Sequence, residues 1–371
     1  MLERIDVLQA ALAGEVAFLP VPDESTEAAR LSEALAVGAP IGDDISLVVS
    51  TSGTTGTPKG AQHTPNSLAA SAQATHSYLG GDGIWLLALP PHHIAGLQVL
   101  LRSLRAGFTP SVLDLRDGFD PSVFARAVHD LDGPHRYSSL VPGQLLKALD
   151  APDAVRALRE LDGLLIGGAA TPLPLQRRAA DEGVPIVRTY GMSETAGGCV
   201  YDGVPLDGVT IRIDDPNPDG VGRVVLGGSV VAHGYRNQPQ HPAFAEPGWF
   251  RTDDLGRVDE HGVLSIVGRA DEAISSGGLT IVPQVVEAVI VEDPAVAECA
   301  VVGMPDERLG ERVVAFVVAA DGQHVNADRI RGAVAERLEK YAAPREVVVI
   351  DSLPLRGPGK VDRRALREQR A

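Results

Sequence analysis

Short runs of Val, Ile and Leu alternate with segments of helical periodicity from residue 45 to about residue 190. The strand-like runs cover 45–50, 85–89, 163–166 and 184–189, and the helical segments cover 96–105 and 173–183. Parallel strands need long crossovers, which are usually helices, so this alternation predicts a largely parallel sheet with helical connections. Residues 1 to about 40 are expected to form helices interrupted at Pro20, Pro22 and Pro40.

The spacing of apolar positions changes after Gly203. Short alternating runs at 209–213, 222–226 and 263–267 are separated by turns rich in Asp, Pro and Gly. This pattern predicts a small antiparallel or barrel-like β subdomain.

The last hundred residues predict a separate small α+β domain. Helices are expected over 283–292 and over 327–341, where Asn326 can cap the start, and strands are expected over 300–303 and 312–319. The expected fold class is therefore α/β: a large N-terminal domain of parallel α/β sheets with a small barrel-like β subdomain over residues 1–270, followed by an α+β domain over 271–371.

Composition narrows the classes of function. The 371 residues carry a net charge of −16, which argues against nonspecific nucleic-acid binding because that needs a basic surface. The two cysteines, Cys199 and Cys299, form neither a metal pattern nor a disulfide framework. No apolar run approaches the length of a membrane span, and residues 1–10 lack a secretory core, so a cytoplasmic protein is expected.

The segment TSGTTGTPKG, from Thr51 to Gly60, contains three glycines, five hydroxyl residues and Lys59. Glycines allow backbone amides to surround an anion, hydroxyls add donors, and the lysine adds positive charge, so the segment predicts a polyphosphate-binding loop. It differs from the common NTPase loop because Pro58 precedes Lys59. The alternative is a flexible Thr/Gly linker.

Four further segments carry candidate chemistry. Tyr190–198 follows a predicted strand and offers an aromatic ring that can stack on a base, together with Glu194 as a magnesium ligand. Just upstream of this segment, the turn 167–169 exposes backbone to a flat ring and belongs with it. The next segment, 248–256, contains adjacent aspartates suited to ribose hydroxyls. The others are 268–287 and 357–360. Taken singly, such residues are more often solvated charges or acidic turns.

In this order, the five segments resemble the adenylate-forming superfamily of acyl-CoA synthetases, carrier-loading adenylation domains and luciferases. The resemblance covers residues 45 to about 365. It implies attack of a carboxylate on the α-phosphate of ATP, followed by displacement of AMP by a thiol. The chain departs from the family in its short N-terminal portion and in Asp253, which stands where the family usually has glycine.

The resemblance implies roles for individual residues. The departing phosphates are assigned to Thr51, Ser52, Gly53, Thr54, Thr55, Gly56 and Lys59. The adenosine and α-phosphate are assigned to Gly167, Gly168, Ala169, Tyr190, Gly191, Met192, Ser193 and Thr195, with Glu194 as the Mg²⁺ ligand. Ribose is assigned to Asp254 with support from Arg269, adenylation to Lys360, and the pantetheine arm of CoA to Gly277 and Gly278. Asp271 is the implied hinge, about which the mobile C-terminal domain would rotate to exchange Lys360 for the glycine loop.

The sequence gives fewer indications for the acyl site than for the nucleotide site. The family pattern Leu-Pro-x-x-His-x-x-Gly places His93 beside the acyl pocket, although a packed histidine is the alternative. The segments 89–103, 193–209 and 268–278 resemble the short o-succinylbenzoate–CoA ligases of menaquinone biosynthesis. Arg136, Ser138 and Ser139 are candidates for the second carboxylate of that substrate, because their strand should end at the acyl site.

Three alternatives remain open at this stage. They are another aryl- or acyl-CoA ligase, a stand-alone enzyme that loads a carrier protein, and a non-catalytic nucleotide-binding homologue. The expected small-molecule partners are a carboxylic acid, ATP and CoA. Formation of a homodimer over the exposed flank is one way in which the short N-terminal portion could be compensated.

Overall fold

The computed structural model describes residues 4–51, 58–338, 340–356 and 360–370. The helices are α1 (Ile5–Leu12), α2 (Ser25–Ala34), α3 (Pro65–Leu79), α4 (Ile94–Arg105), α5 (Pro121–His129), α6 (Pro142–Leu149), α7 (Pro152–Leu158), α8 (Leu173–Asp181), α9 (Pro283–Ile290), α10 (Ala327–Arg337) and α11 (Arg363–Glu368). Among the described residues, no helix combines the length and the apolar character that a membrane crossing requires.

The strands are β1 (Leu47–Thr51), β2 (Lys59–His63), β3 (Ile84–Leu87), β4 (Ser111–Val112), β5 (Arg136–Leu140), β6 (Gly163–Ile166), β7 (Ile186–Met192), β8 (Gly197–Tyr201), β9 (Val204–Pro205), β10 (Val209–Asp214), β11 (Gly222–Gly228), β12 (Gly234–Tyr235), β13 (Trp249–Val258), β14 (Leu264–Arg269), β15 (Ile274–Ser276), β16 (Leu279–Ile281), β17 (Val296–Asp306), β18 (Gly310–Ala319), β19 (Glu346–Val349), β20 (Leu355–Arg356) and β21 (Lys360–Val361).

The largest sheet has the strand order β4-β3-β5-β6-β7-β8-β9. Its strands from β4 through β7 are parallel, and β8 and β9 continue it in antiparallel fashion. Helices lie on both faces of this sheet. Alternate side chains of a strand point to opposite faces, so neighbouring residues of one strand pack against different helices. Leu86 joins the core formed with α5 to α8, whereas the neighbouring Trp85 contacts His76 of α3 and Arg102 of α4. The prediction of a parallel α/β sheet with helical connections is confirmed.

Two smaller sheets accompany the large one. The strands β1, β2 and β12 form an antiparallel sheet in that order. The strands β10, β11, β13 and β14 form a four-stranded sheet in the order of their numbers.

The C-terminal part contains a five-stranded sheet built on the long antiparallel pair of β17 and β18. Helices α9 and α10 cover one face of it, where Val286 and Ile330 are buried. Helix α11 covers the other face through Leu366, which packs with Val302 and Phe316. Each face thus has its own apolar core, and the segment that leads into α11 is held by the second of them.

The described residues divide into two compact units. The first contains the residues up to Arg212, with Val225–Arg251 and Glu260–Leu264, and the second contains Ile213–Val224, Thr252–Asp259 and the residues from Ser265 onward. The domain boundary expected between residues 270 and 271 stays a prediction.

Cys199 is buried and Cys299 is partly buried. Cys199 on β8 is fully buried, and burial raises the pKa of its thiol to about 12. Burial also raises the pKa of the Cys299 thiol on β17 well above its ordinary value. Both thiols are therefore protonated at neutral pH.

Candidate active site

The hairpin of β1 and β2 flanks the predicted phosphate loop. Thr51 pairs with Lys59 across it, and Asn237 braces its return by donating to the Pro58 carbonyl at 2.8 Å and accepting from the Gly60 amide at 3.3 Å. The predicted phosphate ligands Ser52, Gly53, Thr54, Thr55 and Gly56 lie outside the described residues. Within the described part of the chain, the Thr51 hydroxyl is buried without a hydrogen-bond partner, which fits an anion with acceptor oxygens.

Gly60 is required by packing behind this hairpin. A Cβ at this position would lie 2.7 Å from Val48 Cγ1 and 2.9 Å from Leu35 Cδ2. The small residue therefore lets β2 approach the buried side chains that precede it, and so fixes the position of Lys59.

Lys59 and Glu194 are connected through a buried tyrosine. The Lys59 ammonium lies 4.7 Å from the centroid of the Tyr235 ring, and the Tyr235 hydroxyl donates to Glu194 Oε1 at 2.5 Å. Glu194 is 7% exposed and Tyr235 only 1%. The predicted phosphate-binding cation and the predicted metal ligand thus both contact Tyr235. The sequence analysis did not identify this tyrosine.

Tyr235 had no local signal in the sequence. It lies in the two-residue strand β12, where it pairs with Ala61 of β2. Its role depends on a pairing between segments about 170 residues apart, so only a prediction of that pairing could have found it.

The turn after β7, which contains Glu194, has an unusual backbone conformation. A Cβ at Gly191 would lie 2.1 Å from the Gly197 carbonyl oxygen, so only glycine fits there. Ser193–Thr195 form one turn of 3-10 helix, and Ala196 follows in the left-handed region with a φ of 51°. This conformation is costly for a residue with a side chain, so the surrounding contacts must hold it.

Two buried side chains hold the Ala196 carbonyl. Ser71 Oγ of α3 donates to it at 3.0 Å, and Gln98 Nε2 of α4 donates to it at 2.7 Å. His63 supports the same turn, since its Nε2 lies 2.6 Å from the Ser193 carbonyl oxygen. Burial lowers the pKa of His63 to about 4, although the hydrogen bond to Ser193 acts in the opposite direction. His63 is therefore neutral and donates from Nε2 at physiological pH.

The Thr195 side chain points into the turn, and its expected role near the α-phosphate stays a prediction. Its side chain is fully buried, and its hydroxyl donates to the Gly197 carbonyl at 2.8 Å while accepting from the Met192 amide at 3.0 Å. Thr195 therefore stabilises the turn. Ser193, also among the predicted nucleotide-binding residues, is the partly exposed hydroxyl of the segment.

The predicted adenine turn follows β6 at the carboxyl edge of the parallel strands. Gly168 has a φ of 80°, and Gly168 and Ala169 are exposed. A Cβ at Gly167 would lie 2.4 Å from the Thr189 hydroxyl, so glycine is needed where the turn passes β7. Tyr190, partly exposed, is the next residue of β7. The turn and Tyr190 thus lie at one edge of the sheet, as predicted from the direction of the strands.

His93 lies at the start of α4. It is the N-cap residue and is partly exposed, and its ring centroid lies 4.2 Å from that of His92. A Cβ at Gly96 would lie 2.4 Å from the Pro90 carbonyl oxygen, so the tight entry into α4 needs this glycine. The acyl-pocket role of His93 stays a prediction.

The substrate residues proposed on β5 need a partial correction. Arg136 is the first residue of β5 and thus lies at the amino end of a parallel strand, opposite the edge at which the strand ends. Its guanidinium lies 3.5 Å from Glu160. Ser138 is fully buried and donates to the Leu86 carbonyl at 2.9 Å. Of the three, Ser139 alone combines a place near the carboxyl end with some exposure, 7%.

The second unit contains the predicted ribose and hinge residues. Asp254 is 7% exposed, and its carboxylate lies 3.5 Å from Arg269, which also donates two hydrogen bonds of 2.9 Å to Asp271. Burial opposes the charge of Arg269, but the bonds to Asp271 and the charge of Asp254 outweigh it and raise the pKa of the guanidinium. Arg269 therefore joins the predicted ribose ligand to the predicted hinge.

The glycine loop and Lys360 lie in two hairpins of the same unit. Gly277 and Gly278, with φ of 60° and 82°, form the two-residue turn between β15 and β16, which requires a left-handed backbone at both positions. Lys360 is exposed on β21, paired with Arg356 of β20. Residues 357–359 lie outside the described residues.

Comparison with known proteins agrees with these features. Residues 5–236 match the model of the AMP-binding enzyme family, and residues 285–360 match that of the AMP-binding enzyme C-terminal domain. The chain belongs to the AMP-binding enzyme family. The resemblance to adenylate-forming enzymes seen in the sequence is therefore confirmed, and both units contain segments that match the family.

Relatives within the AMP-binding enzyme family narrow the comparison. A probable 2-succinylbenzoate–CoA ligase of Mycobacterium tuberculosis is 52% identical over 366 residues, covering 98% of this chain and 94% of the relative. A feruloyl-CoA synthase of Amycolatopsis is 34% identical and covers 87% of this chain and 69% of the relative. The solved o-succinylbenzoate CoA synthetase of Bacillus subtilis, in complex with its acyl-adenylate intermediate, is 31% identical with a TM-score of 0.74, covering 87% of this chain and 68% of that one.

Proposed function

We propose that the protein is an AMP-forming ligase that converts 2-succinylbenzoate to its CoA thioester. The observation that carries this proposal is the 52% identity, over nearly the whole of both chains, to a probable 2-succinylbenzoate–CoA ligase. The buried connection from Lys59 through Tyr235 to Glu194 supports it, because it sets a cation beside a carboxylate as a phosphate and metal site requires.

The residues present fit Mg²⁺ and ATP. Among the described residues no cluster of three or more metal-binding side chains occurs, and Mg²⁺ in nucleotide sites is usually held by one or two carboxylates together with substrate phosphates. Glu194 would supply that carboxylate, with one oxygen already oriented by Tyr235. When bound, the metal neutralises phosphate charge. Lys59 and Thr51 would hold the phosphates that leave.

The reaction then has two balanced steps. A carboxylate oxygen of the acid forms a bond to the α-phosphorus of ATP, and the bond to pyrophosphate breaks. The CoA sulfur then forms a bond to the acyl carbon, the bond from that carbon to the phosphate oxygen of AMP breaks, and the thiol proton is released. In the first step, charge gathers around phosphorus, so Lys360 is assigned to it as a cation that stabilises the transition state. In the second step, the Gly277–Gly278 turn would admit the pantetheine arm.

We further propose that Asp271 is the hinge between these steps, with the adenylation core at 1–270 and the mobile domain at 271–371. Rotation about one short segment can exchange Lys360 for the glycine turn, and closure excludes water from the labile acyl-adenylate. The two hydrogen bonds from Arg269 support this assignment, because they fix the orientation of Asp271 in the present structure.

The substrate is tested by mass spectrometry of the products. The protein is mixed with ATP, Mg²⁺ and CoA and with 2-succinylbenzoate, ferulate, benzoate or octanoate in separate reactions. We expect AMP, pyrophosphate and a CoA thioester with 2-succinylbenzoate. A thioester with ferulate alone would keep the ligase reaction and reject the substrate. Accumulation of an acyl-adenylate without thioester would indicate a carrier protein as the acceptor.

A further inference from the structure

A partly buried group of charged and polar side chains surrounds Arg363 in the second unit. We call Glu272, Gln284, Glu287 and Arg363 the Arg363 cluster. Arg363 Nη2 donates to Glu287 Oε1 at 2.6 Å, and Arg363 Nε lies 3.4 Å from Glu272 Oε2. Gln284 donates to the same Glu272 oxygen at 2.6 Å. One guanidinium thus joins carboxylates from two different segments.

The Arg363 cluster differs in burial from the arginine that follows it. The side chains of Arg363, Glu272 and Glu287 are 14%, 14% and 16% exposed, whereas those of the neighbouring pair Arg364 and Glu368 are 80% and 63% exposed. Burial raises the pKa of Glu287, although Arg363 opposes the shift. Removing the guanidinium would leave two poorly solvated carboxylates near each other, so the cluster depends on this one cation.

The cluster also connects the segment that carries Lys360 to the segment that contains the proposed hinge. Arg363 follows Lys360 by three residues and is the first residue of α11, while Glu272 follows the proposed hinge residue Asp271 directly. Gln284 extends the connection, because its Oε1 accepts from the Arg269 amide at 3.4 Å.

A second anchor fixes Arg363 itself to the sheet. Its Nε donates to the Val301 carbonyl at 3.4 Å, and Glu287 Oε1 accepts from the Val301 amide at 2.7 Å. The backbone of Val301 on β17 therefore binds both Arg363 and Glu287, which form the shorter of the two ion pairs in the cluster. The β21–α11 segment is tied at Arg363 to α9, to β17 and to the hinge segment.

We propose that Arg363 is a positioning residue for Lys360: it ties the segment that carries the lysine to Glu272 beside the hinge and to Glu287 on α9. The proposal rests on the proposed function and deepens it. Arg363 acts only through Lys360, so it matters for formation of the acyl-adenylate and not for transfer of the acyl group to CoA.

The test measures the two half-reactions separately in Arg363→Ala, with Arg364→Ala as the matched control and Lys360→Ala as the reference. Pyrophosphate release should fall by about 10- to 100-fold in Arg363→Ala, because a misplacement of about 1 Å can cost that much. Thioester formation from preformed acyl-adenylate should stay within about threefold of wild type, and Arg364→Ala should leave both steps unchanged. Equal losses in both half-reactions, or no loss in either, would overturn the proposal.

Two milder variants cover the case in which Arg363→Ala does not fold. Arg363→Lys keeps the charge but loses the planar fork, and Glu272→Gln removes one charge while keeping a hydrogen-bonding side chain. Each should lower adenylation more than thioester formation. A symmetric effect in both of these variants would contradict the positioning role.

Hydrogen exchange gives a readout that does not depend on any acid being accepted. Amides of residues 360–368 should exchange faster in Arg363→Lys than in wild type and should be unchanged in Arg364→Ala. Unchanged exchange in Arg363→Lys would overturn the proposed tie even for an inactive protein. Absence of thioester from wild type, with the exchange difference present, would instead reject the proposed function.

Discussion

At the scale of single residues, Tyr235 connects the two charges on which the proposed nucleotide site depends. We expect Tyr235→Phe to weaken the apparent affinity for Mg²⁺ by about tenfold, because removal of the hydroxyl leaves the Glu194 carboxylate without its orienting donor. The measurement is the Mg²⁺ dependence of pyrophosphate release at saturating ATP.

The matched control for this change is Tyr78→Phe. The Tyr78 hydroxyl is 3.5 Å from Asp202 and the side chain is 42% exposed, so its loss should leave the Mg²⁺ dependence unaltered. Equal curves for Tyr235→Phe and wild type would show that the hydrogen bond does not orient a metal ligand.

His63 makes stability depend on pH. Its folded pKa of about 4 lies below the ordinary value of 6.5, so the unfolded chain binds more protons between these values. The contribution of a neutral His63 is fully present above pH 6.5 and is lost as pH falls toward 4, by up to about 3 kcal/mol.

Urea unfolding at pH 7.5 and pH 5 measures this dependence. Wild type should lose stability at the lower pH, and His63→Gln, which cannot titrate, should lose less between the same two values. The same loss in both proteins would assign the pH dependence to other groups, of which the buried His76 is the first candidate, since burial also lowers its pKa.

The sequence indicated the need for glycine at tight backbone positions better than it indicated the partners of individual side chains. Gly191 and the Gly277–Gly278 turn have the close contacts or left-handed φ values that single out glycine. The structural part played by Thr195 could not be predicted, because the sequence shows a hydroxyl but not its partners, which here are backbone groups of its own turn. Tyr235 was missed because its role comes from a contact distant in sequence.

At the scale of elements, the β1–β2 hairpin depends on the space at Gly60. Gly60→Ala should lower the free energy of unfolding by about 1 to 3 kcal/mol, because the new Cβ would press on Val48 and Leu35. Urea unfolding at pH 7.5 is the measurement. Gly143→Ala in α6 is the control, since a Cβ there meets nothing within 4 Å and should be neutral or slightly stabilising. Equal stabilities of the two variants would contradict this account.

The order and type of the elements could be predicted from apolar periodicity. Which side chains face the site could not be predicted as well. The run at 163–166 was predicted with its observed bounds, β6. Arg136 was placed at the wrong end, because periodicity locates a strand without saying which of its residues lies at the functional edge. That edge follows from strand direction, and Arg136 begins β5.

At the scale of the whole molecule, each compact unit has its own apolar cores and its own part of the proposed machinery. Lys59, Tyr235 and Glu194 belong to the first unit, and Arg269 and Lys360 belong to the second. The separation of Lys59 from Lys360 was foreseeable from the order of the motifs along the chain, whereas Arg269 was expected in the domain over residues 1–270. How the boundary runs through 213–264 was not foreseeable, because those segments return alternately to the two units.

The raised pKa values of the Cys199 and Cys299 thiols have a consequence for the fidelity of the proposed reaction. An enzyme that prepares an activated acyl group for an incoming thiol exposes its own cysteines to the same electrophile. Thiolate is the nucleophilic form, and burial keeps both cysteines protonated at neutral pH, with a pKa of about 12 for Cys199. Self-acylation through either thiolate is thereby suppressed relative to attack by the thiol of CoA.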